Sequence, residues 1–169
     1  MKTKTTKCTD EELLAPVVGC QIRAGRPEDI HDLLDLHIHC HPHAGFDKQG
    51  LARFLAADDS SRGVQLAAVG GETVGYLLWK LKMEPVPGIR FVDVGVHMTH
   101  RRAGVATMLL LTPLQMKLTC HAWVPERDLP AQLLLRQLGM VCEKIMPNRY
   151  TDPVQDGYFF IRNTPNEAN

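Results

Sequence analysis

The sequence predicts a mixed α/β domain, and three observations carry that reading. Ile30, Leu33, Leu34 and Ile38 recur at helical spacing; strand-like runs over 64–69 and 73–81 meet at Gly70-Gly71; and from there to 161 strands alternate with helices. The chain has 169 residues, 44% hydrophobic and 22% charged, which suits one ordinary globular domain able to bury a sizeable core. Lys plus Arg and Asp plus Glu both number 19, so the formal net charge is zero. That balance removes the bulk electrostatic case for a dedicated nucleic-acid binder and leaves room only for a local basic patch.

Five cysteines, Cys8, Cys20, Cys40, Cys120 and Cys142, are odd in number, scattered and without a CxxC pair. Neither a disulfide framework nor a zinc ribbon is expected, and a reducing cytoplasm fits best. The first sixteen residues lack the apolar core of a signal peptide, and the longest nearly apolar run, 105–111, is far too short to cross a bilayer. A soluble intracellular protein with no membrane partner is therefore expected. Polar stretches at 1–19 and 163–169 read as tails around a domain at 20–162.

Within that domain 20–24 reads as a first strand. Pro27 then opens a helix to about His39, with Glu28 and Asp29 complementing the helix dipole. Asp47 is a cap for a short second helix whose inward face carries Leu51, Phe54 and Leu55. The runs at 64–69 and 73–81 form an antiparallel hairpin about the two glycines, and 89–96 adds a third strand. A polar turn leads to a helix over 103–117, which Pro113 is expected to kink or restart. A strand at 118–124 precedes a helix over 129–138 with Asp128 as cap and Gly139 as stop. Strands at 140–145 and 157–161 close the chain around an irregular link holding Pro147 and Pro153. The apolar runs 109–111 and 133–135 read as mostly core.

The segment from Val94 to Ala106 carries the most chemistry. A strand ends, a basic turn follows, and a helix opens on Arg101-x-x-Gly104-x-Ala106. The unpaired N–H groups and partial positive charge of a helix N-terminus hold a phosphate or pyrophosphate when the chain lets the anion approach. Gly104 allows that approach, Ala103 and Ala106 keep the first turn uncluttered, and Arg101 and Arg102 add cationic donors.

This segment resembles the acetyl-coenzyme A signature Arg/Gln-x-x-Gly-x-Gly/Ala of the GNAT superfamily of N-acetyltransferases. The stretch from Val124 to Met140, with Asp128 and Ala131, resembles the corresponding part of the bacterial ribosomal-protein alanine N-acetyltransferases, and Asn148-Arg149-Tyr150 with Asp156-Gly157-Tyr158 resembles their ending. The resemblance covers roughly 20–162 and implies a GNAT-like α/β fold: a mixed, mostly antiparallel central sheet flanked by helices on both faces. It implies acetyl-CoA as cosubstrate. The strand at Val94, Gly95 and Val96 would hold the pantetheine arm, and the loop of Arg101, Arg102, Ala103, Gly104, Val105, Ala106 and Thr107 the pyrophosphate, with Asp128 and Ala131 of the later motif beside them.

The implied reaction is direct attack of an uncharged amine on the thioester carbonyl, which needs a base for the amine and a proton for the departing thiolate. Family members often carry a glutamate and a tyrosine for these tasks, but Trp123 and Leu135 stand at the matching positions. Asp93, His121, Glu126 or a loop histidine, reached through water, are the candidate bases, and Tyr150 or Tyr158 candidate donors or walls of the acceptor site. A peptide α-amine, with a pKa near 8, is roughly one-tenth neutral at pH 7, against about 0.04% for a lysine, so an α-amine tolerates a weak base far better.

His37, His39, His41 and His43, with Cys40 among them, have zinc-ligand chemistry, yet their alternate spacing across a helix end and Pro42 does not set four ligands tetrahedrally. No metal is expected. In the family this loop borders the acceptor groove, so His39 and His41 are candidate acceptor contacts. The leading expectation is acetyl transfer to a protein or peptide N-terminal amine, with a ribosomal protein as the acceptor implied by resemblance alone. Acetylation of a small amine, and a catalytically silent coenzyme A-binding or interaction module, are the alternatives.

Overall fold

The computed structural model describes residues 19–41, 46–56, 60–82, 87–116 and 118–163. Most of the two expected tails, Cys8, and Pro42 and His43 of the histidine run lie outside them. The order is β1 (Cys20–Ala24), α1 (Ile30–Cys40), α2 (Lys48–Leu55), β2 (Arg62–Val69), β3 (Glu72–Lys82), β4 (Gly88–Val96), α3 (Val105–Leu114), β5 (Thr119–Pro125), α4 (Leu129–Gln137), β6 (Val141–Thr151) and β7 (Val154–Arg162). The strands form one sheet in the order β1-β2-β3-β4-β5-β7-β6, antiparallel throughout except between β4 and β5.

Helices cover both faces. On one, Leu33, Leu36, Leu51, Phe54 and Leu55 of α1 and α2 pack on Val64, Leu66, Tyr76 and Leu78. On the other, Val105, Leu109, Leu110 and Leu135 of α3 and α4 pack on Leu77, Ile89, Phe91, Cys120, Ala122 and Phe160. Helix α3 is apolar on nearly every side, and a helix of that kind belongs in the interior.

Local signals act as their chemistry dictates. The Asp47 carboxylate accepts from Gly50 N at 2.7 Å and that of Asp128 from Ala131 N at 3.1 Å, each satisfying an N-terminal donor of its helix. Gly70 and Gly71 both have positive φ, 60° and 89°, which a tight hairpin turn requires.

Three expectations need correction. Helix α3 does not restart at Pro113 but runs through it and ends one residue later, short of the expected 117; Pro113 lacks the N–H that would donate to Leu109 O, and its ring is tolerated only because so little helix follows. The irregular link at Pro147 and Pro153 is part of a long β6–β7 hairpin, with Pro147 inside a register shift between Met146 and Tyr150 where no ladder N–H is needed. Of the run 133–135 only Leu135 is buried, while Leu133 is 51% exposed, because neighbours on a surface helix point some 100° apart. Among the described residues no helix is long and apolar enough to cross a membrane.

Candidate active site

The parallel pair at the centre of the sheet comes apart. β4 and β5 are in register from Gly88–Thr119 to Phe91–Ala122, after which β4 runs on to Val96 and β5 to Pro125 without pairing. An extra residue in β4, Val92, lies at this point, since Leu78 pairs with Asp93 and Trp79 with Phe91. His97 N–H donates to Val74 O of β3 at 2.8 Å, so by the alternation of a strand Val94 and Val96 direct their N–H and C=O groups away from β3, into the opening. Val96 O accepts from Arg101 Nε at 3.0 Å, and Val94 O lies 3.3 Å from His41 Nε2.

Asp93 stands at this opening. Its Oδ2 accepts from the Tyr76 hydroxyl at 2.8 Å and lies 3.1 Å from His37 Nδ1, while Oδ1 is 3.2 Å from His41 Nε2. Burial, with the Asp93 carboxylate beside it, pushes the Tyr76 phenol far above its ordinary pKa, so Tyr76 is a permanent donor. Its single proton goes to Asp93, and His37 Nδ1–H therefore donates to Tyr76 Oη, 2.8 Å away, and to the carboxylate. His41 Nε2 faces two acceptors, Asp93 Oδ1 and Val94 O, and so carries its proton there, leaving Nδ1 as the proton-accepting nitrogen. Side-chain exposure rises from 1% at His37 through 15% at Asp93 to 33% at His41, which makes His41 the end of the network that meets solvent.

The turn after β4 leads into α3 through two residues of positive φ. His97 accepts from Thr99 N, Arg102 has φ 60° and Gly104 φ 84°, and α3 starts with Gly104 as its cap. Because glycine has no capping side chain, the first N–H groups of α3, at Val105, Ala106 and Thr107, have no side-chain acceptor at that cap. Arg101 and Arg102 are exposed beside them, as is Ala103. Asp128 and Ala131 form the first turn of α4, which follows the free end of β5.

His39 and His41, both candidate acceptor contacts, are divided by helical geometry. His37 and His41 are four residues apart and share one side of α1, whereas His39 is turned outward and stacks on His97 with ring centroids 4.5 Å apart. His39, His97, Asp32, Asp35 and Glu72 line a separate open cavity of about 450 Å³. Tyr150 lies on the β6–β7 hairpin, where burial raises its pKa, and Tyr158 packs on the α4 side of the sheet. Glu126 is exposed in the turn before α4, its backbone bonded to Asp156. The structure thus brings Asp93 and His41 together and leaves Tyr150, Tyr158, Glu126 and His39 outside that contact. Tyr76 was missed, because a tyrosine in an apolar strand reads as core; His37 was singled out only within the histidine run, and the one signal of its partnership was its four-residue spacing from His41. Leu135 is buried in the core and Trp123 lies under Arg149, 4.0 Å from ring centroid to guanidinium carbon.

A model of the acetyltransferase (GNAT) family matches residues 30–140. Among solved structures the chain is similar to the ribosomal-protein-S18-alanine N-acetyltransferase of Escherichia coli, with 14% identity, TM-score 0.75, and coverage of 89% of this chain and 98% of the other. It is also similar to NAA60 of Arabidopsis thaliana in complex with acetyl-CoA, with 17% identity, TM-score 0.73 and coverage of 85% and 97%. A third is Naa50 of Arabidopsis thaliana with the bisubstrate analogue CoA-Ac-MVNAL, at 19% identity, TM-score 0.72 and coverage of 86% and 99%. At these identities the likeness is one of fold. No curated protein sequence matches the chain.

Proposed function

Because the chain belongs to the acetyltransferase (GNAT) family, we propose that it transfers an acetyl group from acetyl-CoA to the N-terminal α-amine of a protein or peptide. The observation that carries this reading is the His41–Asp93 pair beside the free edge of β4. A peptide acceptor is supported by the similar Escherichia coli enzyme, named for an alanine of a ribosomal protein, and by the peptide portion of the analogue held by Naa50. A ribosomal acceptor rests on the first of these alone.

The residues present fit the cosubstrate. Val94 and Val96 offer outward N–H groups for the amides of a pantetheine arm, with Gly95 between them, and the capless first turn of α3 with Arg101 and Arg102 suits a pyrophosphate. Bound there, acetyl-CoA supplies an acetyl thioester open to direct attack by an amine. His41 accepts the amine proton at Nδ1, and Asp93 holds the imidazole in the required tautomer from Nε2. Tyr76 and His37 keep the carboxylate in place from the buried side. One proton leaves the amine and one is needed at the departing sulfur, so a single imidazole can serve both ends.

A silent coenzyme A-binding module is the rival reading, favoured by Trp123 and Leu135 where family members often carry acid–base groups. The test is thiol release from acetyl-CoA with N-terminal peptides beside free polyamines. Turnover with peptides supports the proposal; turnover with polyamines alone makes the acceptor a small amine, and binding without turnover makes the chain a silent module. Gly104→Glu, which sets a carboxylate where the pyrophosphate belongs, is expected to weaken acetyl-CoA binding about tenfold or more. Unchanged affinity would sink the cofactor assignment.

A further inference from the structure

The face of the sheet on which α1 and α2 sit carries a row of cations running out from under them. Arg62 on β2 pairs in register with Lys80 on β3, Lys80 with Arg90 on β4, and Arg90 with His121 on β5. Side chains directly opposite across strands share one face, and like charges there are destabilising, so a fold does not collect three cations beside a histidine by local preference. Burial, then the neighbouring Arg90 and Lys82 charges, holds the His121 imidazole below its ordinary pKa; burial, then Arg149, does the same to Arg90.

A further cation is delivered from the other side. Arg149 on β6 reaches across β7 at Gly157, where an added Cβ would overlap its side chain, and lies over the Trp123 ring on β5. Trp123 and His121 both pack on Phe159, at 5.0 and 5.5 Å between centroids, so aromatic rings floor the space between Arg90 and Arg149. Among the described residues the ion pairs join Arg23 to Asp29 and two histidines to Asp93, and none includes Lys80, Arg90 or Arg149. Arg90 Nε is buried and has no hydrogen-bond partner among those residues.

We propose that Arg90 and Arg149 form a subsite for carboxylate side chains of the acceptor, selecting peptides with Asp or Glu two to four residues from the acetylated amine. This rests on the peptide-acceptor reading above. The spacing agrees: Arg90 is three residues before Asp93 on β4, about 10 Å, and an extended peptide with its amine at His41 covers that distance in roughly three residues. The guanidinium of Arg149, held flat against an indole, loses little freedom when it meets a carboxylate.

The experiment measures kcat/KM of the wild-type protein on N-terminal peptides identical except for Asp/Glu, Ser/Gln or Lys at positions two to four. The acidic series is expected to exceed the neutral one by about tenfold or more, the size of one charge-assisted hydrogen bond, through KM and less so at high salt. Arg90→Gln and Arg149→Gln should each bring that ratio toward one, and Arg90→Glu should turn it toward the lysine series. Equal turnover of acidic and neutral peptides by the wild type overturns the inference, and so does a preference that survives in both glutamine variants. The wild-type series carries the test should a variant fail to fold. Acetylation of peptides without preference removes this inference alone, whereas acetylation of free amines and no peptide removes the peptide-acceptor reading with it.

Discussion

Three donors converge on Asp93: His37 from α1, His41 from the cap at that helix's C-terminus, and Tyr76 from β3. Such an arrangement fixes the carboxylate by geometry, so its substitution acts through His41 rather than through lost charge alone. Asp93→Asn offers an amide where His41 Nε2–H needs an acceptor and favours the other tautomer; His41→Ala removes the proposed base outright. Each is expected to lower kcat about a hundredfold or more with little change in acetyl-CoA affinity, measured by steady-state kinetics beside calorimetric titration. A loss confined to acetyl-CoA affinity would remove His41 from the chemistry. In the sequence Asp93 and His41 were both candidates, but nothing joined them, because a contact across 52 positions depends on where α1 lies over β4.

Elements were legible wherever their determinants are local. Asp47 and Asp128 cap the helices they precede, the paired glycines turn β2 into β3, and Gly139 ends α4 with φ 76°. Asp47→Ala is accordingly expected to destabilise the protein by about 1 kcal/mol in urea denaturation, the worth of an N-cap. Where a distant partner decides, the local signal misled. Pro147 and Pro153 mark breaks in an isolated chain, yet β7 supplies a template along which β6 continues through a bulge. A leucine triplet says nothing of which member faces inward until α4 is set against the sheet, which buries Leu135 and leaves Leu133 outside.

At the scale of the molecule the sheet separates two cores, with α3 the most deeply enclosed helix. Leu109, fully buried, should cost about 2–5 kcal/mol when cut to Ala, read from the denaturation midpoint. The cationic row gives the fold a pH dependence of definite sign. His121 has a folded pKa below its unfolded value near 6.5, so its contribution is intact above about pH 6.5 and is lost as pH falls toward the folded value, where the unfolded chain binds the proton more readily. Thermal midpoints should fall over that interval, and His121→Gln should make the fall shallower; an identical slope in the variant would count against a strained imidazole. The sequence by itself determined the α/β class, most element positions, both acidic caps and the start of a helix at Gly104, because each depends on residues within a turn or two of one another. Only the tertiary structure decided that β4 and β5 part after Phe91, that His41 meets Asp93 while His39 turns away to His97, and that Arg149 lies over the Trp123 ring. Register, bulges and helix rotation are set by packing across the whole chain, and a net charge of zero conceals which side chains that packing places together.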